Sequence, residues 1–179
     1  KIKTIGDAYM AAGGLPDPQH GSAADVVRAA LEMQAFMAKH KAEREAAGKP
    51  YFGICLGYQI LFDSSEETPG VSGLGIVPGI VRRFKEAPGL KIPHMGWNSV
   101  VPRTPESGNW TGLGAEPYFY YVHSYFPVPE NDGVISAVTT YGEDTFAAAI
   151  ELPNLFACQF HPERSQDAGI RLIRNFLGV

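Results

Sequence analysis

Two short motifs carry residues able to do chemistry: Gly53-Ile54-Cys55-Leu56-Gly57, and His161-Pro162-Glu163. A nucleophile centred between glycines, after a short apolar run and before a helical one, has the pattern of a nucleophile elbow. The glycines permit a sharp turn and close backbone packing. The first N–H groups of the following helix would point toward the sulfur and favour its thiolate. In an extended segment residues i and i+2 project to the same side. His161 can therefore face the thiol as general base while Glu163 fixes the imidazole's tautomer and orientation. A lone cysteine is more often a small buried hydrophobe, and a lone histidine is more often structural. Both patterns in one chain favour a catalytic pair.

The elements that must position these residues can be read from the surrounding pattern. Tyr51–Leu56 is an apolar run bounded by glycines, as a buried parallel strand would be. Residues 57–65, GYQILFDSS, have helical character, and Gln166–Leu177 reads as the last helix. Between them, Ile76–Phe84, Tyr118–Tyr125, Val134–Tyr141 and Phe146–Leu152 read as strands. Ahead of the elbow, KIKTIGDAYMAAGG reads as a hairpin turning at Gly6-Asp7. An amphipathic helix follows, with Ser22 as N-cap and an apolar stripe through Val26, Ala30, Met33 and Met37, and it stops near Gly48-Lys49-Pro50.

Composition sets the bounds. The 179 residues are 45% hydrophobic and 19% charged, with a net charge of −4. That is ordinary for a globular chain and gives no basic footprint for nucleic acid. No apolar run has the length of a membrane span, and no signal peptide is visible. Two cysteines, Cys55 and Cys158, make no disulfide framework, so a cytoplasmic setting is expected. Cys158 reads as a packed side chain, and nothing is assigned to His20 or His40.

GICLGYQ together with QFHPE resembles the class I glutamine amidotransferases. More narrowly, GICLGYQILFDSSEE, GLGIVPGIVRRF, KIPHMGWN, YFYYVHSYF and NLFACQFHPERS resemble the glutaminase subunit of imidazole glycerol phosphate synthase, over residues 53–179. The resemblance implies an α/β, flavodoxin-like sheet and hydrolysis of glutamine through a thioester at Cys55, His161 and Glu163. It places Gly57, Gln59, His123, Ser124 and Tyr125 near bound glutamine. It turns Trp97 and Asn98 toward a partner cyclase subunit, a β/α barrel that uses the ammonia to build imidazole glycerol phosphate and AICAR. No cofactor is implied. The bland alternatives are satisfied strand residues for His123 and Tyr125, and a core position for Trp97.

Residues 1–52 resemble instead a fragment of a class III adenylate or guanylate cyclase, a ferredoxin-like hairpin and helix, strongest over Lys1–Pro16. By that resemblance Asp7 would be a metal-binding aspartate and Lys3 an adenine-reading residue. A carboxylate at a hairpin tip suits Mg²⁺, and a Gly-Asp turn is also simply a turn. On this reading the junction falls within about residues 45–53. The amidotransferase sheet would then lack its N-terminal strands and the glycine loop that donates N–H groups to the oxyanion. Three readings follow: a glutaminase subunit, a chimeric fragment without activity, and a piece of a nucleotide cyclase.

Overall fold

The computed structural model describes residues 2–5, 8–11, 50–106 and 108–179, and the chain divides into two units, Lys1–Lys49 and Pro50–Val179. In the first unit β1 (Ile2–Ile5) pairs antiparallel with β2 (Ala8–Ala11), Ile5 opposite Ala8, which is the pairing expected of a hairpin with a two-residue turn. Gly6, Asp7 and the helix expected from Ser22 onward lie outside the described residues.

The second unit begins with β3 (Tyr51–Ile54), one helical turn (Leu56–Gln59), β4 (Ser64–Ser65) and β5 (Gly79–Arg83). It continues with β6 (His94–Ser99), β7 (Val101–Pro102), β8 (Tyr118–His123) and β9 (Tyr125–Pro129). The last elements are β10 (Ile135–Tyr141), β11 (Asp144–Leu152), β12 (Leu155–Cys158) and a C-terminal helix (Gln166–Leu177).

The main sheet has the order β3-β12-β11-β10-β7. Its β3–β12 pair is parallel, with Ile54 opposite Cys158, and its other pairs are antiparallel. A parallel pair needs a long crossover rather than a tight turn, and here the crossover is nearly the whole unit. The strand read as buried and parallel is parallel but only partly buried: Gly53 is its one buried residue, it ends at Ile54, and Leu56 beyond it is exposed. Smaller sheets, β4-β5-β9 and β6-β8, stand beside the main one.

Two apolar clusters hold the elements together. The larger is aromatic: Phe84, Trp110, Phe119, Tyr121, Phe126, Phe146, Phe156 and Phe160 pack with Leu172 of the C-terminal helix. The smaller joins Tyr58, Leu61 and Phe62, just after the elbow, to Val77, Val81, Ile150 and Leu155. Strand β11 contributes Phe146 to the first and Ile150 to the second, with small alanines between them, so it lies between both cores.

Three departures from the sequence reading have physical causes. The helix expected over 57–65 is a single turn, because the carbonyls of Ile60, Leu61 and Phe62 accept from Leu74, Ile76 and Gly75 instead of continuing a helix. A side chain at Gly73 would collide with the Phe62 carbonyl, so glycine is what lets that segment approach. The run Tyr118–Tyr125 breaks at Ser124 into β8 and β9, which belong to different sheets. Strand β6 has no apolar run to announce it, since Met95 and Trp97 are exposed and Gly96 interrupts them. No described helix is long and apolar enough to cross a membrane.

Candidate active site

Cys55 sits where β3 gives way to the helical turn, with φ 51° and ψ −104°. A positive φ at a non-glycine residue stores strain and persists only where the surroundings fix it. They do so here. Its N–H donates to the Cys158 carbonyl at 2.8 Å, extending the parallel ladder by one residue. A Cβ on Gly53 would lie 2.8 Å from the Gly57 carbonyl oxygen and 3.0 Å from the Ala157 Cβ. Gly53 is thus a steric requirement of the elbow. Gly57 is not, since a Cβ there would make only an ordinary 3.5 Å contact with the Tyr51 hydroxyl. That hydroxyl donates to the Gly57 carbonyl at 2.7 Å and clasps the turn.

The expected thiolate-favouring field is outweighed. Burial pushes the Cys55 thiol up, the Leu56 N–H and the Gln159 amide pull it down, and the Glu163 and Glu67 carboxylates push it further up. The net direction is upward. A single helical turn supplies one aimed N–H and little aligned dipole, so desolvation decides.

His161 and Glu163 meet, by a different route from the extended one expected. His161 is extended, but Pro162–Arg164 is a 3-10 turn that swings Glu163 back to its neighbour. His161 Nδ1 lies 2.7 Å from Glu163 Oε1. A carboxylate can only accept from it, so Nδ1 carries the hydrogen and, in the neutral ring, Nε2 carries the lone pair. That Nε2 is buried and has no hydrogen-bond partner among the described residues. The turn itself is stapled. Its Ser165 hydroxyl donates to the His161 carbonyl at 2.6 Å and accepts from the Tyr120 N–H at 2.9 Å, while the His161 N–H donates to the Tyr120 carbonyl. Gly169 of the C-terminal helix packs on the Pro162 carbonyl so closely that no Cβ fits.

Of the remaining residues expected near glutamine, Gln59, His123 and Tyr125 form a connected network. Gln59 Nε2 donates to the Tyr125 carbonyl and to Gln159 Oε1, each at 2.9 Å. His123 Nδ1 is 2.8 Å from the same Tyr125 carbonyl. Ser124 is half-buried at the break between β8 and β9, and its carbonyl accepts from Phe84. Of the two residues expected to face a partner, Trp97 is exposed. Asn98 is engaged inward, with its amide nitrogen 3.2 Å from His94 Nε2 and 2.9 Å from the Thr140 carbonyl. Lys3 lies on β1 opposite Met10, and Asp7 lies outside the described residues.

The family description glutamine amidotransferase class-I matches residues 12–178. The chain belongs to this family. The chain is 49% identical over 131 residues to the imidazole glycerol phosphate synthase subunit HisH of Synechococcus elongatus, covering 73% of this chain and 60% of that one. It is 51% identical over 132 residues to the subunit of the same name from Synechocystis sp., covering 74% and 62%. It thus spans about six-tenths of the length of these relatives. Among solved structures, a glutamine amidotransferase superposes with a TM-score of 0.55 at 20% identity, covering 89% of this chain and 76% of that one. The glutaminase domain of Trypanosoma brucei CTPS with bound acivicin gives 0.50 at 22% identity, covering 75% and 62%. These likenesses establish the class I amidotransferase fold. The family match begins at residue 12, inside residues 1–52, for which a nucleotide-cyclase fragment is the expectation from sequence; the comparisons give that expectation no support.

Three residues around this candidate site are not singled out by sequence reasoning. Gln159 reaches the sulfur, with Nε2 3.6 Å from Cys55 Sγ. His94 contacts His123, Nδ1 to Nε2 at 3.1 Å. Glu67 is exposed, yet close enough for its charge to act on Cys55. Each lies inside a motif quoted above, but its role depends on which strand or loop the fold sets opposite it.

Proposed function

We propose that this chain hydrolyses the side-chain amide of glutamine to glutamate and ammonia, as the amidotransferase subunit of an imidazole glycerol phosphate synthase. The observation that carries the reading is the His161–Glu163 pair, with its buried, unpartnered Nε2, in a chain that has Cys55 on a strained elbow. Identity of about 50% to HisH subunits supports the narrower assignment and favours it over a fragment without activity or a cyclase piece.

In the reaction His161 Nε2 takes the Cys55 proton and the thiolate attacks the amide carbon. The tetrahedral oxyanion faces the Leu56 N–H, the residue after the nucleophile being the usual first donor of such a hole. Collapse breaks the C–N bond, and the imidazolium returns its proton to the departing ammonia. A water, activated by the same nitrogen, then hydrolyses the thioester and releases glutamate. Glu163 holds the ring in the required tautomer throughout. The Glu67 carboxylate suits the α-ammonium of glutamine, and its placement near Cys55 supports that role. The ammonia passes to a separate cyclase subunit, toward which exposed Trp97 is turned.

The test uses the whole chain with and without a cyclase subunit from a related synthase. A thiol-alkylating glutamine analogue is expected to label Cys55, and glutamine to yield glutamate. Absence of both label and glutamate, with and without the partner, would overturn the proposal.

A further inference from the structure

Gln159 is wholly buried, yet its amide nitrogen is 3.6 Å from Cys55 Sγ, within hydrogen-bond range for the larger sulfur atom. Whether it helps the nucleophile depends on which end of the amide faces the sulfur, and the neighbours decide this. The Tyr125 carbonyl only accepts, so His123 Nδ1, 2.8 Å away, must carry hydrogen. The ring is neutral, so His123 Nε2 accepts, and His94 Nδ1, 3.1 Å from it, must donate. His94 Nε2 then accepts from the Asn98 amide, which also donates to the Thr140 carbonyl. The polarity of both rings is thereby set.

On the other side of the Tyr125 carbonyl the same logic holds. Gln59 Nε2 spends its two hydrogens on Tyr125 O and Gln159 Oε1. Turning Gln59 over would set its oxygen against that carbonyl. With Gln59 fixed, Gln159 Oε1 is pinned as an acceptor, and Gln159 Nε2 is left facing the sulfur as a donor. A reversed Gln159 would bring its oxygen to the sulfur and its amide hydrogens against those of Gln59.

We infer that Gln159 is a catalytic residue, a fixed hydrogen-bond donor to the Cys55 thiolate, and that Gln59, Tyr125 O, His123 and His94 are positioning groups that hold its amide in that sense. The inference rests on the glutaminase reading for Cys55 being the nucleophile. An N–H aimed at the sulfur stabilises the charged form over the neutral one, which the burial of this site otherwise opposes. The carboxylates acting on Cys55, Glu163 and Glu67, act in the opposite sense to Gln159.

The experiment measures the rate of Cys55 alkylation by iodoacetamide against pH, reading the Cys55 peptide by mass spectrometry so that Cys158 does not contribute. Glu163, Glu67 and His161 are retained throughout. In Gln159→Met, the donor is lost at nearly constant volume. Alkylation at neutral pH is expected to fall about tenfold, as for loss of one hydrogen bond to a charged group, and the midpoint to move upward. In Gln59→Leu the amide of Gln159 is free to turn over, and a several-fold fall is expected. Either variant, folded by circular dichroism and showing the unchanged pH profile, overturns the inference. If Gln159→Met does not fold, Gln59→Leu decides. Iodoacetamide needs no glutamine site, so a chain that does not hydrolyse glutamine but shows the shifted profile would sink the glutaminase reading, and with it the catalytic role, while upholding Gln159 as the fixed donor to Cys55.

Discussion

His94 stands directly across the β6–β8 ladder from His123, and the two rings meet at 3.1 Å among packed aromatic rings. His94 stacks on Tyr121 and Tyr141, with centroids 4.6 and 3.9 Å away, while Phe84 and Phe146 pack around His123. Burial pushes His94 down to about 4. It pushes His123 down to about 3, with the Tyr125 carbonyl opposing and the His94 and His161 rings adding to the fall.

An acid-lability prediction follows from this pair. An unfolded histidine titrates near 6.5, so between pH 6.5 and about 4 the unfolded chain holds protons that the folded one refuses. Stability then rises with pH across that window and falls as pH drops, with no effect above it. Each ring contributes up to about 1.4 kcal/mol per pH unit. Urea midpoints measured from pH 7 to 4 should fall, and His94→Gln should flatten the slope. A slope unchanged by that substitution would contradict the assignment.

This histidine pair also marks the limit of what sequence could disclose. The elbow and the C-terminal helix were legible because each depends on local spacing, Gly53 through Gly57 and the apolar face of Gln166–Leu177. The His161–Glu163 contact was legible in outcome but not in route, because Pro162 starts a 3-10 turn that an alternation rule cannot foresee. His94 lies 29 residues from His123, and Gln159 lies 104 from Cys55. Register across β6–β8 and the parallel β3–β12 pairing bring them together, and neither is written in either motif alone. The one-turn helix after Cys55 was misread for the same reason: its acceptors are taken by residues 74–77.

Glu163→Gln should leave the chain folded, since Glu163 is exposed, and slow glutamine hydrolysis by about 10²–10⁴-fold. The amide can present its N–H to His161 Nδ1 and so favour the wrong tautomer. The loss should fall on kcat rather than KM. A KM effect alone would mean that Glu163 binds substrate and does not orient the base.

Gly53→Ala tests the elbow sterically. The added Cβ would meet the Gly57 carbonyl at 2.8 Å, the Tyr51 ring at 2.8 Å and the Ala157 Cβ at 3.0 Å, two of which belong to packed backbone or core. Overpacking of this kind costs about 1–3 kcal/mol. A lower denaturation midpoint and slower Cys55 labelling are expected together. Gly57→Ala, with only a 3.5 Å contact, should be far milder, and equal effects at the two positions would refute the asymmetry.

Trp97 and Asn98 are neighbours on β6 that should fail in opposite ways. Trp97 is 46% exposed, touches Tyr120 edge-on with ring centroids 6.2 Å apart, and stands beside exposed Met95 and Tyr118. Truncating an exposed indole removes little packing, so Trp97→Ala should shift the stability of the isolated chain by under about 1 kcal/mol. If this face meets the cyclase subunit, an aromatic anchor there is worth about 2 kcal/mol or more, and the complex should weaken at least tenfold. Asn98 instead caps the histidine relay, bonding His94, the Thr140 carbonyl and the Ser99 N–H. Asn98→Ala leaves the part-buried His94 acceptor unmatched, while the exposed Thr140 carbonyl turns to water, so the cost is about 1 kcal/mol of folding stability. Melting each variant alone and titrating it with a cyclase subunit separates the two roles. Should Trp97→Ala bind the partner as tightly as the parent chain, β6 would not be the docking strand, and the exposed aromatic face would need another explanation.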